Sequence, residues 1–364
     1  MVIEYKEDIV FKGEGSLVYN EALSKTFLTF AEKECKGSSM LYEYLSIKIS
    51  KDDELLTICK NAGEGQPIPN LLFGAVHYLL LKGKEHPLKE FYPSVVSNPK
   101  AYRYSFEFFK DFCCKYRSEI ESILKTRLVQ TNEVRRCAYL YPAFCTIYEK
   151  AKKPLALIEI GTSAGVQLLW DKYSYSYGQN DIYGNIDSNL NITAEIKGKN
   201  TPILHSTPPP VSTRVGLDLN TIDLNDEDEK LWLKSLIWTE HKERLFMFEE
   251  AAKYIQEVAV SLFDGDGISL LSKFVDNIPE DSVICIFHTH VANQVPLEMK
   301  KQLLQIVEAI GKNRDVFHIY NNIQDRYLHL DYYLDGIESK STIAETDGHG
   351  RWFEWFLKRQ MPIQ

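Results

Sequence analysis

The chain has 364 residues, with 42 Lys and Arg against 51 Asp and Glu, a formal net charge of −9, and 44% hydrophobic against 26% charged residues. That is the mix of a globular protein, long enough for two domains of about 100–200 residues each. An acidic total without a Lys/Arg block argues against a partner held mainly through nucleic-acid phosphates or anionic lipid. No apolar run approaches the ~18 residues of a membrane helix, and residues 1–5 run straight into charge without the apolar core of a signal peptide. A cytoplasmic protein with no membrane contact is therefore expected. The 7 cysteines are odd in number and form no CxxC pair, so neither a disulfide framework nor a cysteine metal site is expected.

Residues 1–152 read as a helical domain. The segment 20–34 carries Leu23, Phe27, Phe30 and Ala31 at helical spacing. Pro69-Asn70 leads into the apolar run 71–81, a buried helix by its length. Segment 105–128 reads as one amphipathic helix, with Phe106, Phe109, Phe112, Cys113, Tyr116, Ile120 and Ile123 on one stripe. Gln130-Thr131-Asn132-Glu133 then opens a helix running to about 152. Thr131 or Asn132 can cap its free amides, and Glu133 suits its positive end.

From Leu155 the pattern is that of an α/β domain, 153–364. Leu-Ala-Leu-Ile-Glu-Ile at 155–160 is an unbroken run suited to a buried parallel strand, followed at once by a Gly-Thr-Ser-Ala-Gly turn and a helix over 166–173. Residues 174–210 are polar and Tyr/Asn/Gly-rich, alternate like an exposed strand over 189–196 and end in three prolines, which predicts an inserted, partly exposed excursion. Strands are predicted at 211–217, ending at Asp218, at 258–263, ending at Asp264, at 282–287 and at 316–320. Helices over 227–236, 241–256, 268–277 and 296–310 lie between them. The segments 327–334, 341–346 and 351–356 follow without helices. The expected architecture is a doubly wound, mostly parallel sheet closed by an antiparallel C-terminal hairpin.

Five places carry residues suited to chemistry. Glu159-x-Gly161-x-Ser163-x-Gly165 joins a strand to a helix, and backbone amides there can face a nucleotide or a carboxylate. The string departs from the dinucleotide pattern GxGxxG, and a strand–helix turn without a ligand fits it too. Asp218 ends the second strand, where a carboxylate can accept both ribose hydroxyls, and Asp264 or Asp266 after the third can take an adenine amino group. Turn formation or capping would also explain them. Asp218 lies far beyond Gly165 where the usual unit needs ~20 residues, so 174–210 must loop out. His288-Thr289-His290 follows the fourth strand; either histidine can serve as a general base, orient a substrate or simply be hydrogen-bonded in place. Gly348-His349-Gly350-Arg351-Trp352 marks a tight turn whose tryptophans can anchor a terminal strand. A helix cap leaves Gln130, Glu133 and Arg136 unexplained together.

These segments resemble one large family of uncharacterised bacterial proteins, a domain of unknown function. Its members share Gln-Thr-Asn-Glu-x-x-Arg, matched here by 130–136, and Leu-Glu-x-Gly-x-Ser-Ala-Gly-x-x-Leu, matched by 158–168 with Thr162 where many relatives have alanine. They also share Asp-x-Tyr-x-Tyr-x-Tyr-Gly at 171–178, Gly-x-Asp-Leu-Asn at 216–220 and His-Gly-Arg-Trp-x-x-Trp at 349–355. The glycine turn is also distantly similar to that of class I S-adenosylmethionine-dependent methyltransferases, with Ser163 replacing the middle glycine. That resemblance implies a methyltransferase-like (Rossmann-like) fold and S-adenosylmethionine as cofactor. Glu159, Gly161, Ser163 and Gly165 would hold its methionine end, Asp218 its ribose and Asp266 its adenine. His288 or His290 would be the base, and Gln130, Asn132 and Arg136 would cover a small-molecule acceptor. The alternative is a methyltransferase-shaped binding or scaffolding module that has lost catalysis.

Overall fold

The structure, a computed structural model, describes residues 15–130, 133–178 and 181–358. Apolar spacing builds the first helices: α1 (Gly15–Phe30), α2 (Met40–Ile49), α3 (Asp53–Cys59), α4 (Ile68–Leu81), α5 (Phe106–Lys115) and α6 (Arg117–Thr126). Polar caps start two of them, as Ser39 Oγ accepts from Tyr42 N at 3.1 Å and Asp52 Oδ1 from Leu55 N at 3.1 Å. The single helix expected over 105–128 breaks at Tyr116 (φ −106, ψ 25). The break lets Phe109, Phe112 and Cys113 on α5 and Ile120 and Leu124 on α6 reach one core.

The chain continues through α7 (Cys137–Ala151), β1 (Leu155–Ile160), β2 (Ser174–Ser176), β3 (Tyr183–Gly184), β4 (Asn191–Thr193), β5 (Glu195–Lys197) and β6 (Val211–Asp218). Then come α8 (Glu227–Leu236), α9 (Lys242–Glu257), β7 (Ser261–Asp264), α10 (Gly267–Val275), β8 (Val283–Phe287) and α11 (Leu297–Gly311). The last strands are β9 (Val316–Tyr320), β10 (Leu328–Leu334), β11 (Ile337–Thr346) and β12 (Trp352–Trp355). Two compact units divide the described residues: 15–130 with 226–245, and 133–225 with 246–358. The helix α7, buried throughout from Cys137 to Ile147, falls in the second of these units, with the sheet. α8, reached much later in the chain, belongs to the helical unit because Trp232 is part of that core.

In the helical unit the aromatic rings converge on Phe73. Tyr42 stacks on it at 4.2 Å and 8°, Phe30 lies at 6.0 Å, and Phe27 and Phe109 meet it edge-on at 6.4 and 5.8 Å. Among the described residues no helix is long and apolar enough to cross a membrane.

The other unit is a mixed α/β structure around a nine-stranded sheet of order β5-β12-β11-β10-β9-β8-β1-β6-β7. Strands β7, β6, β1, β8 and β9 are mutually parallel, and β9 to β12 form an antiparallel meander, longer than the hairpin expected. Every residue of β1 and β8 is buried, as continuous apolar runs in a parallel sheet require. The strand order reverses between β1 and β8, so the crevice at their carboxyl ends is a topological switch point. The region 174–210 is partly exposed, as expected, and is also built into this unit. β3, β2 and β4 form a small second sheet, β5 adds to the edge of the large one beside β12, and Tyr173, Tyr175, Leu190 and Ile192 are fully buried. Its tyrosines provide the reason: Tyr175 stacks on Tyr141 of α7 at 4.4 Å.

Truncating the central ring of the helical unit, Phe73→Ala, is expected to destabilise that unit by about 3–5 kcal/mol, read as a lowered midpoint in urea unfolding.

Candidate functional site

The turn after β1 is where the sheet opens. Gly161 (φ 72), Ser163 (φ 50) and Gly165 (φ 75) all have left-handed backbone, which folds the five residues back on the strand end. At Gly161 a Cβ would lie 2.2 Å from a Val291 methyl, so a side chain there would have to displace Val291 and adopt left-handed backbone. The turn's amides face inward: Gly161 N and Thr162 N donate to Leu217 O (2.7 and 3.3 Å) and Gly165 N to Thr162 O (2.9 Å). The segment after Gly165 is a 3₁₀ stretch, Val166–Lys172, irregular at Leu169, where an α-helix over 166–173 was expected. Buried Leu168, Leu169 and Trp170 are drawn into the core on several sides, which a single α-helical stripe cannot provide.

Two carboxyls organise this turn. Asp218 ends β6 beside β1, with Leu217 opposite Ile160, and this is the register expected once 174–210 is looped out. Its carboxylate accepts from Ser163 N at 2.8 Å and from Asn220 N at 3.0 Å. Glu159, inside β1 and 3% exposed, accepts from the Thr162 hydroxyl at 2.6 Å. Burial, reinforced by the charge of Asp218, pushes its carboxyl up to about 8, so it is protonated at neutral pH. Asp264 holds Thr221 through its backbone N and its hydroxyl, both at 2.8 Å. Asp266 caps α10, accepting from Ile268 N at 3.1 Å and from the Ser269 hydroxyl.

The two histidines after β8 part company. His288 is 1% exposed and packs with His318 and Tyr320 under the sheet, beside Ile160, Ile268, Val291 and Leu303. Both of its ring nitrogens lack a partner, and burial pushes the imidazole down to about 3. His290 (φ 63) stands in the turn beyond the strand. Its N donates to Asn321 Oδ1 at 2.7 Å, and burial with the nearby Arg136 charge lowers its ring to about 3. Both imidazoles are therefore neutral at pH 7.

The first and last sequence signatures meet at this edge. Gly350 (φ 74) lies flat on the 135–136 backbone: a Cβ there would be 2.5 Å from Arg135 O. Asp347 shapes the turn by accepting from His349 N (3.2 Å), Arg351 N (3.1 Å) and Arg351 Nε (3.0 Å). His349 Nδ1 pairs with the buried Glu133 carboxylate at 3.2 Å. Arg136 donates from Nε to Gly348 O at 3.0 Å and from Nη1 to Thr289 Oγ1 at 3.3 Å, and Thr289 in turn donates to Gln167 Oε1 at 3.2 Å. Gln130 is half-buried in the helical unit, and Asn132 lies outside the described residues. Sequence reading missed Gln167, His318 and Asn321; the polar residues closing β9, in His318-Ile-Tyr-Asn321, were the available signal.

Two outcomes test this geometry. Gly350→Ala forces a Cβ into left-handed backbone and a backbone clash, and should lower thermal stability by more than ~1–2 kcal/mol. Glu159 binds a proton in the folded chain up to about 8 but in the unfolded chain only to about 4.5, so it lowers stability as pH rises through that window. Glu159→Gln keeps an acceptor for Thr162 and should remove that decline, measured by denaturant unfolding near both ends of the window.

No curated protein and no solved structure matches the chain. The signatures that converge at this sheet edge, from Glu133–Arg136 to Gly348–Trp352, all lie within the stretch recognised by a family model. That model, described as an uncharacterized protein conserved in bacteria (DUF2332), matches residues 24–355, and the chain belongs to this family.

Proposed function

We propose that the chain binds S-adenosylmethionine at the carboxyl edge of β1, β6 and β7 and passes its methyl group to a small-molecule acceptor. One observation carries the reading. A left-handed glycine turn, a buried glutamate and the strand-ending Asp218 stand together beside the switch point of a parallel sheet, where open α/β sheets take their ligands. In this reading Glu159, Gly161, Ser163 and Gly165 shape the place of the methionine end. Asp218 takes the ribose: its two oxygens accept one backbone amide each, which leaves further lone pairs for two hydroxyls. Asp266, at the start of α10, stands for the adenine.

The cofactor supplies an activated methyl group, so the chain's part is to hold the acceptor in line and exclude water. With His288 sealed under the sheet and both imidazoles held neutral by burial, the acceptor is one whose own lone pair attacks without prior loss of a proton. Arg136 and Thr289 line the side on which the acceptor would sit.

A binding or scaffolding module without catalysis is the second reading, favoured by Ser163 in place of the middle glycine and by the long segment 174–210. Calorimetry decides between them. S-adenosylhomocysteine should release heat on binding wild type, and Asp218→Ala should weaken it about tenfold, the value of one charge-assisted hydrogen bond pair. No heat with well-folded wild type removes the cofactor assignment. Binding without methyl transfer to any member of a pooled metabolite extract leaves the module.

A further inference from the structure

We infer that Arg136, His290 and Asn321 form a receptor for a carboxylate carried by the bound small molecule, at the carboxyl edge of β8 and β9. This rests on reading that edge as the ligand site, and it names the acceptor's class as a carboxylic acid.

The argument is one of unmatched donors. Arg136 is 8% exposed, yet the acceptors it meets are neutral: Gly348 O, Thr289 O and Thr289 Oγ1, at 3.0, 3.5 and 3.3 Å. Among the described residues no carboxylate comes within ion-pair distance of it. The buried acids of this region have partners of their own: Glu133 pairs with His349 at 3.2 Å, and Glu159, which feels the Arg136 charge without pairing with it, accepts from the Thr162 hydroxyl at 2.6 Å. A guanidinium buried without a counter-charge is costly, and an anion in contact with it offsets that cost.

The neighbouring groups point the same way. Asn321 is fully buried, and its Oδ1 is fixed by His290 N at 2.7 Å, so its Nδ2 group is turned elsewhere and has no partner. His290 Nε2 is buried and without a partner, and it can donate in the tautomer in which Nδ1 accepts from the Asn322 amide 3.5 Å away. His290 is also one of the few non-glycine residues with left-handed backbone, a strained conformation that the surroundings must hold. Thr289 and His290, adjacent in the chain, bring the Arg136 and Asn321 donors to one turn. Guanidinium, amide N–H and imidazole N–H are all donors, and a ligand that only accepts satisfies them together. One fixed cation balances one negative charge. A carboxylate carries one, whereas a phosphate monoester carries about −1.5 to −2.

The test uses the full chain and calorimetric titration with acetate, succinate and benzoate, with inorganic phosphate as the counter-probe. Saturable binding of at least one carboxylate by wild type is expected. Asn321→Asp keeps the oxygen that receives His290 N but sets a negative charge in the receptor, and should weaken that carboxylate about tenfold or more. Arg136→Met should do the same, with circular dichroism establishing that each variant is folded. The receptor is overturned if no carboxylate binds folded wild type, if Asn321→Asp binds as well as wild type, or if phosphate binds more tightly than every carboxylate. S-adenosylhomocysteine titrated in parallel separates the two proposals. Carboxylate binding without it removes methyl transfer alone, and its binding without any carboxylate removes this receptor alone.

Discussion

The sheet unit depends on the burial of β1 on both faces. With β6 and β8 paired to either side and all six positions inaccessible, the strand has no room for a polar group except where one is neutral or bonded. Glu159 meets both conditions: it is protonated and accepts from the Thr162 hydroxyl. The same constraint sends the remaining polar groups to the strand ends. The glycine turn, Asp218 and the His288–His290 turn are crowded at one edge because the interior of the sheet excludes them.

That edge is held by hydrogen bonds the chain makes with itself. Asp218 fixes Ser163, and Asp266 fixes the start of α10. Asp347 fixes the turn carrying Gly350. Gly350 in turn lets two segments more than two hundred residues apart in sequence lie backbone to backbone. Such a lock positions Arg136 with no carboxylate within ion-pair distance among the described residues. Positioned but unbalanced polar groups are the pattern of a site built for something outside the chain.

The buried histidines illustrate the opposite case. His288 and His318 sit 5.3 Å apart, ring to ring, with their nitrogens unpaired and both pKa values driven down by burial. They add an acid-sensitive element to the core, because protonation below the ordinary histidine pKa favours the unfolded chain. They offer no exposed base. Two histidines separated by one residue thus have different fates, decided by whether the backbone is still in the strand plane at that point.

Much of the sheet was legible from local pattern. The runs at 155–160 and 283–287 are too apolar and too short for anything but buried strands, and Asp218 stands beside β1 as its place after 211–217 implied. The helix pattern at 71–81 held for the same reason. Context decided the rest. Periodicity alone cannot foresee the break at Tyr116, because both halves carry the same stripe and only the shape of the core bends them apart. Nor can it place α8 with the helical unit, or show that the tyrosines at 173–177 build a second sheet. Residue type marked Glu159, Arg136 and His288 as chemically able, since carboxyl, guanidinium and imidazole can be read letter by letter. Whether each is charged, paired or sealed depends on neighbours far away in the chain, and only the tertiary structure brings those neighbours within a few ångströms.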